Sequence, residues 1–252
     1  MSLDLFELQA FPNHEQQKDT IDNYFDTQSL CVDIKKYCAK NDLSEKITVS
    51  GFGGLFETAN QDFREKVRKF NNSIFYLIIS IFRFTNYYRL WKECSEKEQK
   101  TYLCIWCRYE ARNVCNEIFM YEEKVKNLLR SLFALDSQKT RRNDAFMKAL
   151  QKIATTNPLV KTFCDEISNY LKDSDVTFVT NIRNDEIHND SPLDEFTDIV
   201  QYSPTRWAIT KPYYVVNNQT LYEKIKKCLE ALLHITNALQ DVIDNFEVKS
   251  TG

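Results

Sequence analysis

Glycine is nearly missing from this chain, with four in 252 residues, and proline is little commoner, with five. An all-β or doubly wound α/β fold of this length needs many tight turns, and glycine supplies the backbone geometry those turns demand. The scarcity argues against both classes. A basic excess is missing too: 33 Lys and Arg stand against 36 Asp and Glu, a net charge of −3. No chain-wide field draws the protein to nucleic acid, so any such site must be local. A membrane-length apolar run is also absent. The most apolar stretch, Ile74–Phe82, is ended by Arg83, far short of the roughly 20 residues a bilayer requires. It reads as a buried central helix, with no membrane partner. Met1–Glu7 lacks the basic and apolar regions of a signal peptide, so the expected compartment is cytoplasmic.

What is present is helical. Hydrophobic residues make up 43% of the chain, enough for a sizeable core, and they recur at helical period over long segments. Ser29–Lys40 reads as a short helix, and residues 60–93 as a long one. Ser95, a plausible N-cap, opens the next helix, which runs to about Leu135. Two long helices joined by a short turn lie antiparallel and begin a bundle. A polar, basic break follows, then a helix to about Ala154 and another from Pro158 to Leu171. Asp173, Ser174 and Asp175 can cap a helix over Val176–His188, and Asn218 starts a last helix reaching about residue 246. Residues 190–217 form an irregular insert with Pro192, Pro204 and Pro212, in which Arg206–Thr210 can pair with Tyr213–Val216 as a small β-hairpin. The fold class is therefore an all-α helical bundle. Residues 1–59 stand apart as an extension, packed on the bundle or partly ordered, before a domain over 60–252.

Several constellations have a plain structural explanation. Cys104 and Cys107 form a C-x-x-C, with Cys94 and Cys115 near the same helix. Zinc needs converging pairs of ligands, and a redox pair favours a helix N-terminus beside a strand. Neither context is present, so the eight cysteines read as reduced, mostly core residues. Ile47–Gly54, the one glycine-rich stretch, lacks the spacing and the lysine of a phosphate loop. Lys139, Arg141, Arg142, Lys148 and Lys152 could touch phosphates, but a solvated helix start accounts for them as well. His14 and His234 stand alone.

One stretch is less easily explained: Asn181-Ile182-Arg183-Asn184-Asp185-Glu186-Ile187-His188-Asn189. At about 100° per residue, Val176, Val179, Ile182 and Ile187 fall on one apolar arc, and Asn184 and His188 share the polar side. Arg183 projects from the middle of the apolar arc. A guanidinium cannot lose its proton to escape burial. Either Glu186, three residues on, pairs with it, or Arg183 lines a pocket that holds an anion beside a proton-moving His188.

Arg183-Asn184-Asp185-Glu186-Ile187-His188 resembles the signature of the HEPN superfamily: an Arg, four to six residues, then a His, here with a polar Asn after the Arg. The helical layout over residues 60–246 agrees with that family's bundle, while residues 1–59 and the insert are additions to it. The resemblance implies an endoribonuclease that needs no metal and no cofactor, often a toxin or defence protein with an antitoxin or other protein partner. It also implies a homodimer whose two motifs face one another and act on RNA. Arg183 and His188 would be catalytic, and Asn184, Asp185 and Glu186 would bind or orient the substrate. Histidine titrates near neutral pH and can move protons to and from RNA oxygens. Arginine can stabilise charge on the phosphoryl oxygens. On one straight helix Arg183 and His188 point about 140° apart. Either the helix ends before His188, or Arg183 of one copy works with His188 of the other. The contrasting expectation is a non-catalytic HEPN-like module that binds a nucleotide or a protein, in which the motif serves only the fold.

Overall fold

From Leu55 to Asn157 the chain contains neither glycine nor proline, so nothing in the backbone interrupts a helix except local chemistry. A computed structural model of the chain describes residues 30–33, 35–40, 55–188, 193, 195–196, 199–203, 206–209, 213–214 and 216–246. For residues 38, 39, 55–62, 98, 186–188 and the strands it describes only the backbone. Among these residues are α1 (Lys35–Lys40), α2 (Leu55–Glu93), α3 (Lys97–Leu132), α4 (Asn143–Ala154), α5 (Pro158–Lys172), α6 (Ser174–His188) and α7 (Asn218–Asp244). The architecture is an all-α bundle. No helix among the described residues is long and apolar enough to cross a membrane. The expected glycine-rich loop at Ile47–Gly54 and the arm over residues 1–28 lie outside the described residues.

α2 and α3 form a long antiparallel pair and make the most extensive helix contact of the bundle. α2 starts at Leu55, five residues ahead of the expected position. α3 starts after Glu96, which makes no side-chain cap, so the expected Ser95 cap does not form. The end of α3 is sharper. Ala134 lies at φ 50, and Leu135 N–H donates to Arg130 O at 2.8 Å, which closes the last turn. Glycine usually takes such a left-handed position because it has no Cβ to crowd the carbonyl.

The core gathers on α7. Leu221, Ile225, Cys228, Leu229, Leu232, Ile235, Leu239, Val242 and Ile243 are all buried along it. α1, α2, α3, α5 and α6 all pack against this helix. The stretch Ile74–Phe82 of α2 is not the central helix that its composition suggests. Ile74, Leu77 and Ile81 are buried, but Phe75 and Tyr76 are 53% and 62% exposed. α2 buries one face against its neighbours and leaves the other in solvent, so the central place falls to α7.

The segment before α2 also joins the core. Leu30, Val32 and Tyr37 are buried. Asn71 of α2 bonds both the N–H and the carbonyl of Val32, each at 2.9 Å. Tyr121 donates its hydroxyl hydrogen to Leu30 O at 3.1 Å. Lys36 pairs with Asp244 of α7 at 3.0 Å.

The insert departs from the expected pairing. Arg206–Ile209 pairs antiparallel with Ile199–Ser203, not with Tyr213–Val216. Tyr213–Tyr214 pairs instead with Glu195–Phe196. Ile199–Ser203 and Arg206 are separated by only two residues, the shortest hairpin connection, and this nearer partner takes the strand. Buried Arg108 of α3 holds both ends of the insert: one terminal nitrogen donates to Leu193 O at 3.1 Å, the other to Val216 O.

Two outcomes test these contacts. Ala134→Gly should raise stability by about 1 kcal/mol, since it relieves the left-handed strain at little cost in a loop; urea denaturation showing a loss would contradict that account. Arg108→Leu should cost about 1.5–3 kcal/mol, the range for hydrogen bonds made by a charged donor. Hydrogen exchange should accelerate at residues 216–218 while the α2–α3 pair stays protected, and unchanged exchange there would refute the anchoring role.

Candidate functional site

α6 is built by its first turn. Asp173 Oδ1 accepts the N–H groups of Asp175 at 2.6 Å and Val176 at 3.2 Å, which caps the helix as the sequence suggests. Val176, Val179 and Ile182 are then buried, so the apolar arc faces the bundle and fixes the helix's rotation. Asp175 is buried as well, at 7% exposure. Lys224 and Lys227 of α7 neutralise it, the second at 3.8 Å. Together these contacts hold the start of α6 against α7 and set where its last two turns lie.

That rotation carries Arg183 into a half-buried position against α3. Its guanidinium carbon lies 3.9 Å from the centroid of the Phe119 ring. One terminal nitrogen donates to Asn184 Oδ1 at 3.0 Å. The aromatic face answers the question posed by an arginine on an apolar arc: a cation over a ring is attracted by its quadrupole without full hydration. Asn184 is exposed and Asp185 half-buried. The side chains of Glu186 and His188 lie outside the described residues, and with them the expected Arg183–Glu186 pair. The backbone of α6 remains helical through His188, which removes the arrangement in which the helix stops short of that residue. The site thus comprises an oriented arginine, its asparagine neighbour and a histidine position at the end of the same helix.

The remaining candidates take ordinary places. Cys107, Cys115, Cys164 and Cys228 are buried thiols that form no disulfide. Burial pushes the Cys228 thiol up to about 12 and raises Cys107, so neither is poised as a thiolate. Among the described residues no group of three His, Cys, Asp or Glu side chains could hold a metal. His234 is exposed on α7. Arg141, Arg142 and Lys148 are exposed at the start of α4 and just before it, and Arg142 approaches Asp144 at 3.4 Å.

Other charged groups in the core carry no sequence signature. Glu110 of α3 is 1% exposed and lies 2.9 Å from Arg83 of α2, a contact that pairs charges without hydrogen-bond geometry. Asn113 donates to its other oxygen at 3.0 Å. Desolvation raises its pKa against the opposing pull of Asn113 and Arg83. Tyr170 of α5 donates to Glu122 of α3, whose pKa burial likewise raises. Phe119 is the residue that sequence reading most clearly misses. An aromatic 64 positions before Arg183 gives no local sign of partnership, although the misplaced arginine does announce that some partner is needed.

No family model matches the chain, and neither does any curated protein or solved structure.

Phe119→Leu keeps apolar volume but removes the ring face. It should cost about 0.5–2 kcal/mol, the range for exposed to desolvated cation–π contacts. A double-mutant cycle with Arg183→Met isolates the pair term; a coupling energy near zero would mean that the ring does not hold the guanidinium.

Proposed function

We propose that this chain is an endoribonuclease of HEPN type, acting on RNA without a metal or cofactor, with Arg183 and His188 as its catalytic residues. The observation that carries the reading is the setting of Arg183: a half-buried guanidinium laid on Phe119 and bonded to Asn184, on a helix that runs on to His188. An arginine held in one orientation is suited to a phosphoryl group, because its planar fork binds two oxygens at once.

In this reaction the RNA 2′-oxygen loses its proton and forms a bond to the adjacent phosphorus. The bond from phosphorus to the 5′-oxygen breaks, and that oxygen gains a proton. The products are a 2′,3′-cyclic phosphate and a free 5′-hydroxyl. His188 serves proton transfer and Arg183 stabilises the charge on the non-bridging oxygens. Asn184, Asp185 and Glu186 bind or orient the strand. The site is shared by two copies, with Arg183 of one acting beside His188 of the other. Exposed apolar side chains on α3 support that assembly: Ile105, Tyr109 and Met120 are 49%, 47% and 44% exposed and lie within about 100° of Phe119 around the helix. The biological setting is that of a toxin or defence protein in the cytoplasm, restrained by an antitoxin or another protein partner.

A second reading has its own support. The Arg183 hydrogen bond goes to Asn184 and its face to Phe119, contacts that also suit a purely structural arginine in a non-catalytic nucleotide- or protein-binding module. The net charge of −3 points the same way.

One comparison separates the two. Purified protein with EDTA present should cut single-stranded RNA, spare DNA, and leave 2′,3′-cyclic phosphate ends. His188→Ala should lower the rate by roughly 10²–10⁴-fold with an unchanged melting temperature, and sedimentation should show a dimer at micromolar concentration. A stable His188→Ala protein that cleaves like the parent excludes the catalytic role and favours the binding module.

A further inference from the structure

About one to two turns along α3 from Phe119, a pocket of about 70 Å³ lies where α3, α4, α5 and α7 meet. α3 gives it Glu122 and Lys126, α4 gives Phe146, α5 gives Ile167 and Tyr170, and α7 gives Leu232. Its lining is apolar apart from Glu122, Lys126, Asn143 and Tyr170. Leu171 also lines it and is 56% exposed, so solvent reaches the pocket. α4 rests on α5 and is tied to α3 by Lys126, which donates to Asn143 Oδ1 at 2.7 Å. Arg183 does not line this space.

The polar groups of the pocket leave one acceptor open. Lys126 is already committed, since it also donates to Glu123 Oε1 at 2.6 Å. Glu122 Oε1 accepts from the Tyr170 hydroxyl, and among the described residues its second oxygen receives no hydrogen bond. A carboxylate has room for about four. The groups that face Glu122 from the other helices are neutral. Tyr170 is 4% exposed, with Cys228 Sγ 4.0 Å from its hydroxyl, and burial holds both in their protonated forms. On α3 itself, Lys126 and Glu123 act on Glu122 in opposite senses, while burial raises its pKa. A carboxyl that is desolvated and only partly bonded gains from a cation placed beside it.

We propose that this pocket binds a small aliphatic amine, with its alkyl tail among Val125, Phe146, Ile167 and Leu232 and its ammonium on Glu122. The tail must be short or once branched, because the space is about half of the roughly 150 Å³ that takes a benzene ring. An uncharged alkyl group of the same shape would leave the Glu122 carboxyl as poorly bonded as before. A carboxylic acid would set like charge against it, and Lys126 could hold that acid only by giving up Glu123 or Asn143. The inference is independent of the ribonuclease reading, since none of these residues belongs to the Arg183 motif.

An NMR titration of the full chain, followed at its methyl groups, tests it with four probes: 3-methylbutylamine, 3-methylbutanol, 3-methylbutanoate and methylamine. The first should saturably shift Val125, Ile167, Leu232 and Ile235, and the other three should bind at least tenfold more weakly. Glu122→Gln keeps an acceptor for Tyr170 and should weaken 3-methylbutylamine at least tenfold. Glu117→Gln, on α3 but outside the lining, should leave it unchanged. If the Glu122→Gln protein fails to fold, Ile167→Phe, which fills the space and keeps the carboxyl, should abolish binding. Absence of 3-methylbutylamine binding overturns the proposal, as does equal binding of 3-methylbutanol or binding indifferent to these pocket substitutions. Binding of 3-methylbutanoate in place of the amine overturns it in favour of an acid held by Lys126.

Discussion

The bundle depends on a single helix having to hide nearly all of its apolar surface. α7 carries buried residues over its whole length, from Leu221 to Ile243, and five other helices pack against it. Those helices bring apolar side chains that they could not keep dry alone; at roughly 25 cal/mol per Å² of apolar surface, burial against a common partner is the dominant favourable term. The polar contacts are arranged around that constraint. Lys224 and Lys227 project from α7 to meet the buried Asp175, and Thr236 of α7 bonds Tyr121 at 2.6 Å. Tyr222 stacks on Tyr88 with ring centroids 4.2 Å apart.

The same constraint sets the candidate site. The rotation of α6 is decided at its beginning, by the Asp173 cap and by Val176, Val179 and Ile182 facing the core. Arg183 is then placed by geometry, with no choice left to its own chemistry. Phe119 supplies the surface that makes the position tolerable, since the ring offers attraction where water is partly excluded. Like the buried Asp175 at the start of this helix, an arginine that is oriented, half-sheltered and still charged is a feature that a purely apolar packing would not produce.

Much of this was legible in the sequence because helical periodicity is a local property. The starts of α5 to α7 follow from caps written in adjacent residues: Asn157 before Pro158, Asp173 before Ser174, Asn217 before the last helix. What could not be read is whatever depends on distant partners. The apolar run Ile74–Phe82 fits a fully buried helix equally well, and only the arrangement of α3 and α7 decides that Phe75 and Tyr76 stay exposed. The strand partner of Arg206–Ile209 is Ile199–Ser203 and not the expected Tyr213–Val216, because two neighbouring segments can pair with it and local residue types do not rank them. The Phe119 seat and the buried Glu110–Arg83 pair join residues on different helices, and nothing local marks them. The Arg183 motif was visible as residue types, whereas its orientation was not.

Arg108 gathers the carbonyls of Leu193 and Val216 onto one guanidinium, so the two ends of the insert meet at one clasp. A loop whose two ends are already joined passes little of a change in its length on to the elements it connects. Changing its length alters only a closure entropy that grows with the logarithm of residue number, about 0.6 kcal/mol for each doubling. A change in the insert's length should therefore cost the bundle little, provided the clasp and its two carbonyls are kept.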